Sequence, residues 1–226
     1  MGVIHSTIGF QKSGLKGIQS NQNDWSRYLV HFTTAHAMKN LKGYPLVNMY
    51  SPEDLYNELK KADKESFDTV KKIQKSMELR PSSPSKKDSI QECICFSECN
   101  LSGLINHSER YGRFGFVFSK ETIFSLGGRP TMYVDNDIYS IFASEFKNSS
   151  DEIKRRIFSL ANVYTPSGEG KVQDFTHERE WRLFSSLSLT KYVPEVVFCP
   201  SEYYDQVSPL FNSITIPLDI LEQWGL

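Results

Sequence analysis

The residues of this chain with the most chemistry to offer stand on two short apolar segments. YLVHFT at residues 28–33 alternates as a strand does, so Val30 and Phe32 share one face while Leu29, His31 and Thr33 share the other. EREWRLF at 178–184 puts Glu178, Glu180 and Arg182 on one face and Trp181 and Leu183 on the opposite one. Strand interiors disfavour glutamate, and a carboxylate row beside a core-facing tryptophan adds little stability by itself. A cleft between two sheets would account for the row. Plainer readings stand beside that one. His31 fits a hydrogen-bonded core residue, and Glu178, Arg179 and Arg182 fit cross-strand ion pairs on a solvated face. Tyr111 and Tyr133 fit ordinary core tyrosines.

Other chemistries lack their parts. His177-Glu178 opens a zinc-protease H-E-x-x-H, but Trp181 occupies the place of the second histidine. No phosphate-binding P-loop, no G-x-G-x-x-G and no G-x-S-x-G elbow occurs. Cys93, Cys95 and Cys99 crowd together, with Cys199 apart. Their spacing lacks the C-x2-C knuckle of most zinc sites and the H-x-E partner of zinc deaminases, so they read as reduced thiols and no metal is expected. Cys95 with His107 as a nucleophile–base pair is open, but nothing marks it.

The elements that must position these residues follow from period and punctuation. Residues 1–24 read as a weakly ordered lead-in and 25–226 as one domain. After the strand at 28–33 comes a short helix at 35–41. Ser51-Pro52-Glu53 opens a long charged helix over 52–79, with a break near Asp63 and apolar stripes at Leu55, Leu59, Val70, Ile73 and Met77. A Pro/Ser loop at 80–88 ends it. Then come a strand at 90–98, a helix at 101–111, a strand at 114–118 with three phenylalanines on one face, a turn at Gly127-Gly128 and a strand at 131–134. Helices follow at 135–147 and 151–161, the second capped by Asp151. A loop at 165–171, strands at 178–184 and 195–199, a helix at 201–209, an edge strand at 214–217 and a helix ending at Trp224 complete the chain. Strands and helices mix without β-α-β alternation, which predicts an α+β fold.

Composition sets the outer limits. The 226 residues are 39% hydrophobic and 13% aromatic, enough for a core carried largely by Phe and Tyr. Basic and acidic residues number 26 and 27, so no global field draws the chain to nucleic acid or membrane. Lys86-Lys87 and Arg155-Arg156 read as solvated surface. No run approaches the ~18 apolar residues of a membrane span, and no secretory signal is visible, which points to a cytoplasmic protein. Gly2 and Ser6 match the loose acylation pattern by coincidence.

Four segments together resemble a family. YLVHFT at 28–33, CICFSE at 93–98, HSERYGRFGFVFSK at 107–120 with GGRPTMYV at 127–134, and EREWRLF at 178–184 look like the AbiGi abortive-infection family, across residues 28–184. AbiGi proteins are described as antitoxins of phage-resistance systems. The group in turn resembles ADP-ribosyltransferases of the His-Tyr-Glu type, including DarT-like enzymes. That resemblance implies two antiparallel or mixed sheets around a cleft with peripheral helices, and NAD as substrate. His31 and Thr33 match the H-x-T that holds the adenosine-side ribose. Glu180 matches the catalytic glutamate, with Glu178 as runner-up, and Tyr111, then Tyr133, matches the tyrosine that packs on nicotinamide. The carboxylate would stabilise the positive charge that develops as nicotinamide leaves, an aromatic face would hold the cationic ring, and Arg113, Arg129 or Arg182 would bind pyrophosphate. The implied function is transfer of ADP-ribose to a macromolecular acceptor, nucleic acid or protein, in phage defence or a toxin–antitoxin system. The alternatives are an inactive relative acting as antitoxin or binding partner, and an NAD glycohydrolase.

Overall fold

Alternating apolar residues make β1 (Tyr28–Phe32) the middle of a seven-stranded mixed sheet. The structure is a computed structural model and describes residues 26–33, 52–83, 91–165 and 179–223. After β1 come α1 (Pro52–Ser76), β2 (Glu78–Leu79), β3 (Ile94–Ser97), α2 (Leu101–Tyr111), β4 (Gly115–Ser119), α3 (Lys120–Ser125), β5 (Arg129–Pro130) and β6 (Met132–Val134). Then follow α4 (Asn136–Phe146), α5 (Glu152–Leu160), β7 (Ala161–Val163), β8 (Glu180–Leu183), β9 (Leu187–Ser188) and β10 (Val196–Cys199). A 3-10 turn (Ser201–Tyr203) leads to α6 (Tyr204–Val207), β11 (Ile214–Pro217) and α7 (Leu218–Gln223).

The sheet order is β11-β10-β4-β1-β3-β8-β5. β1 runs antiparallel to β4 on one side, with His31 opposite Phe116, and to β3 on the other. β10 and β11 are parallel, and β11 is the edge strand expected at 214–217. Strand alternation sends the side chains of β1 into two cores. Leu29 joins Phe96, Phe116, Phe118 and Leu183 beneath Val70 of α1. Val30 and Phe32 join Val117 and Phe198 beneath Leu104 of α2 and Leu218 and Leu221 of α7. The three phenylalanines of 114–118 lie in one of these cores, as their spacing predicts.

Several expectations need correction. Among the described residues the strands form one large sheet with two two-stranded ribbons, β2–β9 antiparallel and β6–β7 parallel, in place of two sheets around a cleft. α1 does not break near Asp63, because Asp63 is buried and held by Arg113. It stops at Ser76, where Met77 adopts φ +49° and the next two residues pair with β9. Residues 120–125 form a helix that the sequence reading passed over, capped by the Ser119 side chain accepting from the Thr122 N–H. The helix expected to reach Ala161 ends at Leu160, and residues 161–163 pair with β6. The helix expected at 201–209 is a 3-10 turn followed by a single helical turn. The turn at Gly127 is present, with φ +93°. The expected helix at 35–41, the 84–88 part of the Pro/Ser loop, the 166–171 part of the second loop, Glu178 and Trp224 lie outside the described residues.

Candidate functional site

Where β1, β3 and β8 lie side by side, with α1 and the β2 segment in front, a cleft of about 740 Å³ opens. Its walls include His31, Thr33, Tyr111, Glu180 and Arg182. Segments more than one hundred residues apart in sequence are thus brought to one place by the pairing of β1 and β8 on either side of β3. Lys72, Arg80, Ser82 and Asn162 also line it, and sequence reasoning had not assigned them to a site; Cys95, weighed there only as a partner of His107, lines it too. For Cys95 a signal was present, since alternation along CICFSE puts Cys93 and Cys95 on one face.

His31 is fixed by a hydrogen bond at 2.9 Å between Nδ1 and the Cys95 carbonyl oxygen. A carbonyl only accepts, so Nδ1 carries the proton and Nε2 is the acceptor nitrogen. Burial holds the imidazole below its ordinary pKa and keeps it neutral, outweighing the opposite pull of that hydrogen bond. The ring also meets Phe96, centroids 5.8 Å apart. Thr33 follows the strand. Its N–H donates to the Phe114 carbonyl at 3.0 Å, and its own carbonyl accepts from the Ser66 hydroxyl at 2.9 Å. Tyr111, the last residue of α2, packs its ring against Phe32 and His107. The helix is started by Asn100, whose side chain accepts from the Gly103 N–H, and stopped by Gly112 at φ +109°.

Glu180 and Arg182 do not stand apart as separate tools. They are two residues apart on one face of β8 and clasp each other. Arg182 Nε donates to Glu180 Oε1 at 2.9 Å and Nη2 to Oε2 at 2.8 Å, while Nη1 donates to the Ser159 carbonyl at 2.6 Å. Both side chains are nearly buried, Glu180 at 8% and Arg182 at 3% exposure. The guanidinium stays charged, because the carboxylate more than offsets the cost of burial. A bidentate fork of this kind uses both carboxylate oxygens and fixes their direction.

The remaining candidates sit elsewhere. Tyr133 lines a second cavity of about 400 Å³ with Glu98, Thr131, Arg179, Glu180 and Trp181, and its hydroxyl accepts from the Glu180 N–H at 3.2 Å. It supports the backbone of Glu180 from behind. Arg113 does not line the cleft. It bridges Asp63 and Asp219, with Glu202 3.6 Å away, and so ties α1 to α7. Arg129 donates to the Phe124 and Gly128 carbonyls and stacks on the Phe124 ring. Trp181 faces away from Glu180 and Arg182, toward the core, as alternation predicts. Cys93 and Cys95 place their sulfurs 3.7 Å apart, and no group of three His, Cys, Asp or Glu side chains among the described residues is gathered to hold a metal ion. No helix among them is long and apolar enough to cross a membrane.

Comparison with known proteins gives one finding. A family model described as "Putative abortive phage resistance protein AbiGi, antitoxin" matches residues 85–206, more than half of the chain. No curated protein and no solved structure matches.

Proposed function

This chain belongs to the AbiGi family, and from that premise we propose that it acts in abortive phage resistance as an antitoxin, a protein that binds a companion toxin and holds it inactive. The observation that carries the reading is the clasp of Glu180 by Arg182. A transferase would need a carboxylate directed at a developing positive charge. Here both oxygens already answer a guanidinium two residues away, which neutralises the field the carboxylate would offer.

The test is growth of bacteria carrying a toxin partnered with an AbiGi-family antitoxin. Expression of the toxin alone should arrest growth, and co-expression of this chain should relieve the arrest. Relief should persist in the double variant Glu180→Leu with Arg182→Met, which leaves neither charge unpaired, because binding rather than catalysis does the work. Growth arrest caused by this chain alone, and abolished by that double variant, would overturn the antitoxin reading.

A second reading has its own observation. His31, Thr33, Tyr111 and Glu180, the residues that the resemblance to His-Tyr-Glu transferases picks out, all line one cleft. An NAD-dependent ADP-ribosyltransferase, or an NAD glycohydrolase with water as acceptor, would use that cleft with Arg182 swung away or turned to the pyrophosphate. Incubation with labelled NAD and a bacterial lysate separates the possibilities. Label on protein, RNA or DNA supports the transferase, free ADP-ribose supports the glycohydrolase, and neither product excludes both.

A further inference from the structure

We propose that Cys93 and Cys95 form a reversible oxidation site, closed to a disulfide by a small peroxide that enters the cleft. The site is independent of whether the chain acts as antitoxin or enzyme. Four observations meet at it. The two sulfurs lie 3.7 Å apart, in contact and without a bond. Cys95 lines the cleft, so a small oxidant reaches it, while Cys93 is buried behind it. Cys95 stands opposite Arg182 in the β3–β8 register, which brings a fixed guanidinium, itself paired with Glu180, to the two sulfurs. The backbone on both sides is held, Cys93 by two hydrogen bonds to Ser82 and Cys95 by its carbonyl to His31.

The electrostatics divide the pair into donor and acceptor. The Cys95 S–H directed at Cys93, together with the Arg182 charge, lowers the Cys93 pKa against burial. Cys95 is pushed well above the usual thiol range by that same bond and by burial, with the Glu180 carboxylate adding to the effect. Cys93 is therefore the more acidic of the two, and once the pair loses a proton the remaining one lies between the sulfurs, the form that attacks peroxide. Only Cys95 faces the cleft, so its proton passes to the Cys93 thiolate before attack; the Cys95 thiolate so formed takes one oxygen of hydrogen peroxide as the O–O bond breaks and hydroxide leaves. The product is a Cys95 sulfenic acid beside a Cys93 thiol. The Cys93 sulfur then displaces the sulfenic oxygen as water, and the disulfide forms. Two residues along a strand span about 6.6 Å, inside the ~6.8 Å upper end of disulfide Cα separations. A bridge at that limit is readily reopened by a dithiol.

Cys99 and Cys199 are internal controls. Burial and a neighbouring acid, Glu98 and Asp219 respectively, push both thiols up to about 12, so they stay protonated and slow. The experiment is titration of the folded protein with hydrogen peroxide, followed by thiol counting in denaturant and peptide mass mapping. The count should fall from the four free cysteines to two. The peptide holding Cys93 and Cys95 should become two hydrogens lighter, and a dithiol reductant should restore it. Cys95→Ser should abolish that species, and Cys93→Ser serves if the first variant does not fold. Loss of Cys99 and Cys199 as fast as the pair, a count that stays at four, or direct passage to sulfinic acid without a reducible stage would each overturn the proposal. Mapping on the wild-type chain decides between them without any variant.

Discussion

Arg182 is the residue on which the site most depends. Its three donors hold Glu180 and the carbonyl of Ser159, so it locks β8 to the end of α5. Removing one partner of a buried ion pair leaves the other charged and uncompensated, which costs ~3–5 kcal/mol, whereas replacing both with apolar groups of similar volume is often neutral. Arg182→Ala should therefore lower stability by about that amount in chemical denaturation. Glu180→Leu with Arg182→Met should regain most of the loss, and a double variant no more stable than Arg182→Ala would show that the pair is not the cause. His31 gives a second prediction. Its folded pKa lies below the ordinary 6.5, so between those values the unfolded chain binds a proton that the folded chain does not. Its contribution is complete above 6.5 and is lost as pH falls toward the folded pKa. Melting temperatures followed downward from neutral pH should fall less steeply in His31→Gln than in the wild type. Equal slopes would mean that His31 does not titrate as described. At this scale the sequence was partly legible. Alternation found the faces of His31, Thr33, Glu180 and Arg182, but it could not choose among Arg113, Arg129 and Arg182. The acids that claim Arg113 stand 50 and 106 residues away, and only the fold brings them to it.

At the scale of elements, the junction of α2 with β4 sets the cleft wall. Gly112 ends α2 at φ +109°, and a Cβ there would sit 2.8 Å from the Thr33 carbonyl oxygen. The turn thus needs glycine both for its backbone angle and for the close approach to β1. Gly112→Ala should cost roughly 1–3 kcal/mol from backbone strain of this kind, with further loss from the contact, and it should move Tyr111 and Thr33 together. A melting temperature within one degree of wild type would contradict that geometry. The same elements show why sequence legibility varied. β1, α1, α2 and β8 carry enough apolar period, caps or prolines to be read, whereas β5 and β7 span two and three residues and carry no period at all. α3, with six residues, announces itself only through its Ser119 cap. A β-ladder is a statement about partners, so strands this short exist because of what lies beside them.

Across the whole molecule, Arg113 joins α1 near the start of the described chain to α7 at its end. Asp63 is buried enough that its carboxyl is pushed above the usual range despite Arg113, while Asp219 is held below it by Ser201 and Arg113. Arg113→Met should raise amide exchange in both helices while leaving β1 and β3 protected, and unchanged exchange in α7 would remove Arg113 from this role. The sequence reading of an α+β class holds, yet the sheet order was beyond it, because seven strands taken from across the chain give no local sign of their neighbours. That order has a consequence for synthesis. β1 leaves the ribosome before both strands it pairs with: β3 follows more than sixty residues later and β4 more than eighty, with β8 later still. Until β3 emerges Leu29, Val30 and Phe32 lack the ladders of this sheet, and until β4 and β8 follow their cores are incomplete. A nascent chain must therefore carry its central strand unpaired while the stretch of chain between β1 and β3 is made. A copy truncated before residue 180 lacks a wall of the cleft and has an open sheet edge for proteases and chaperones to recognise, which ties the lifetime of incomplete copies to the speed of the ribosome.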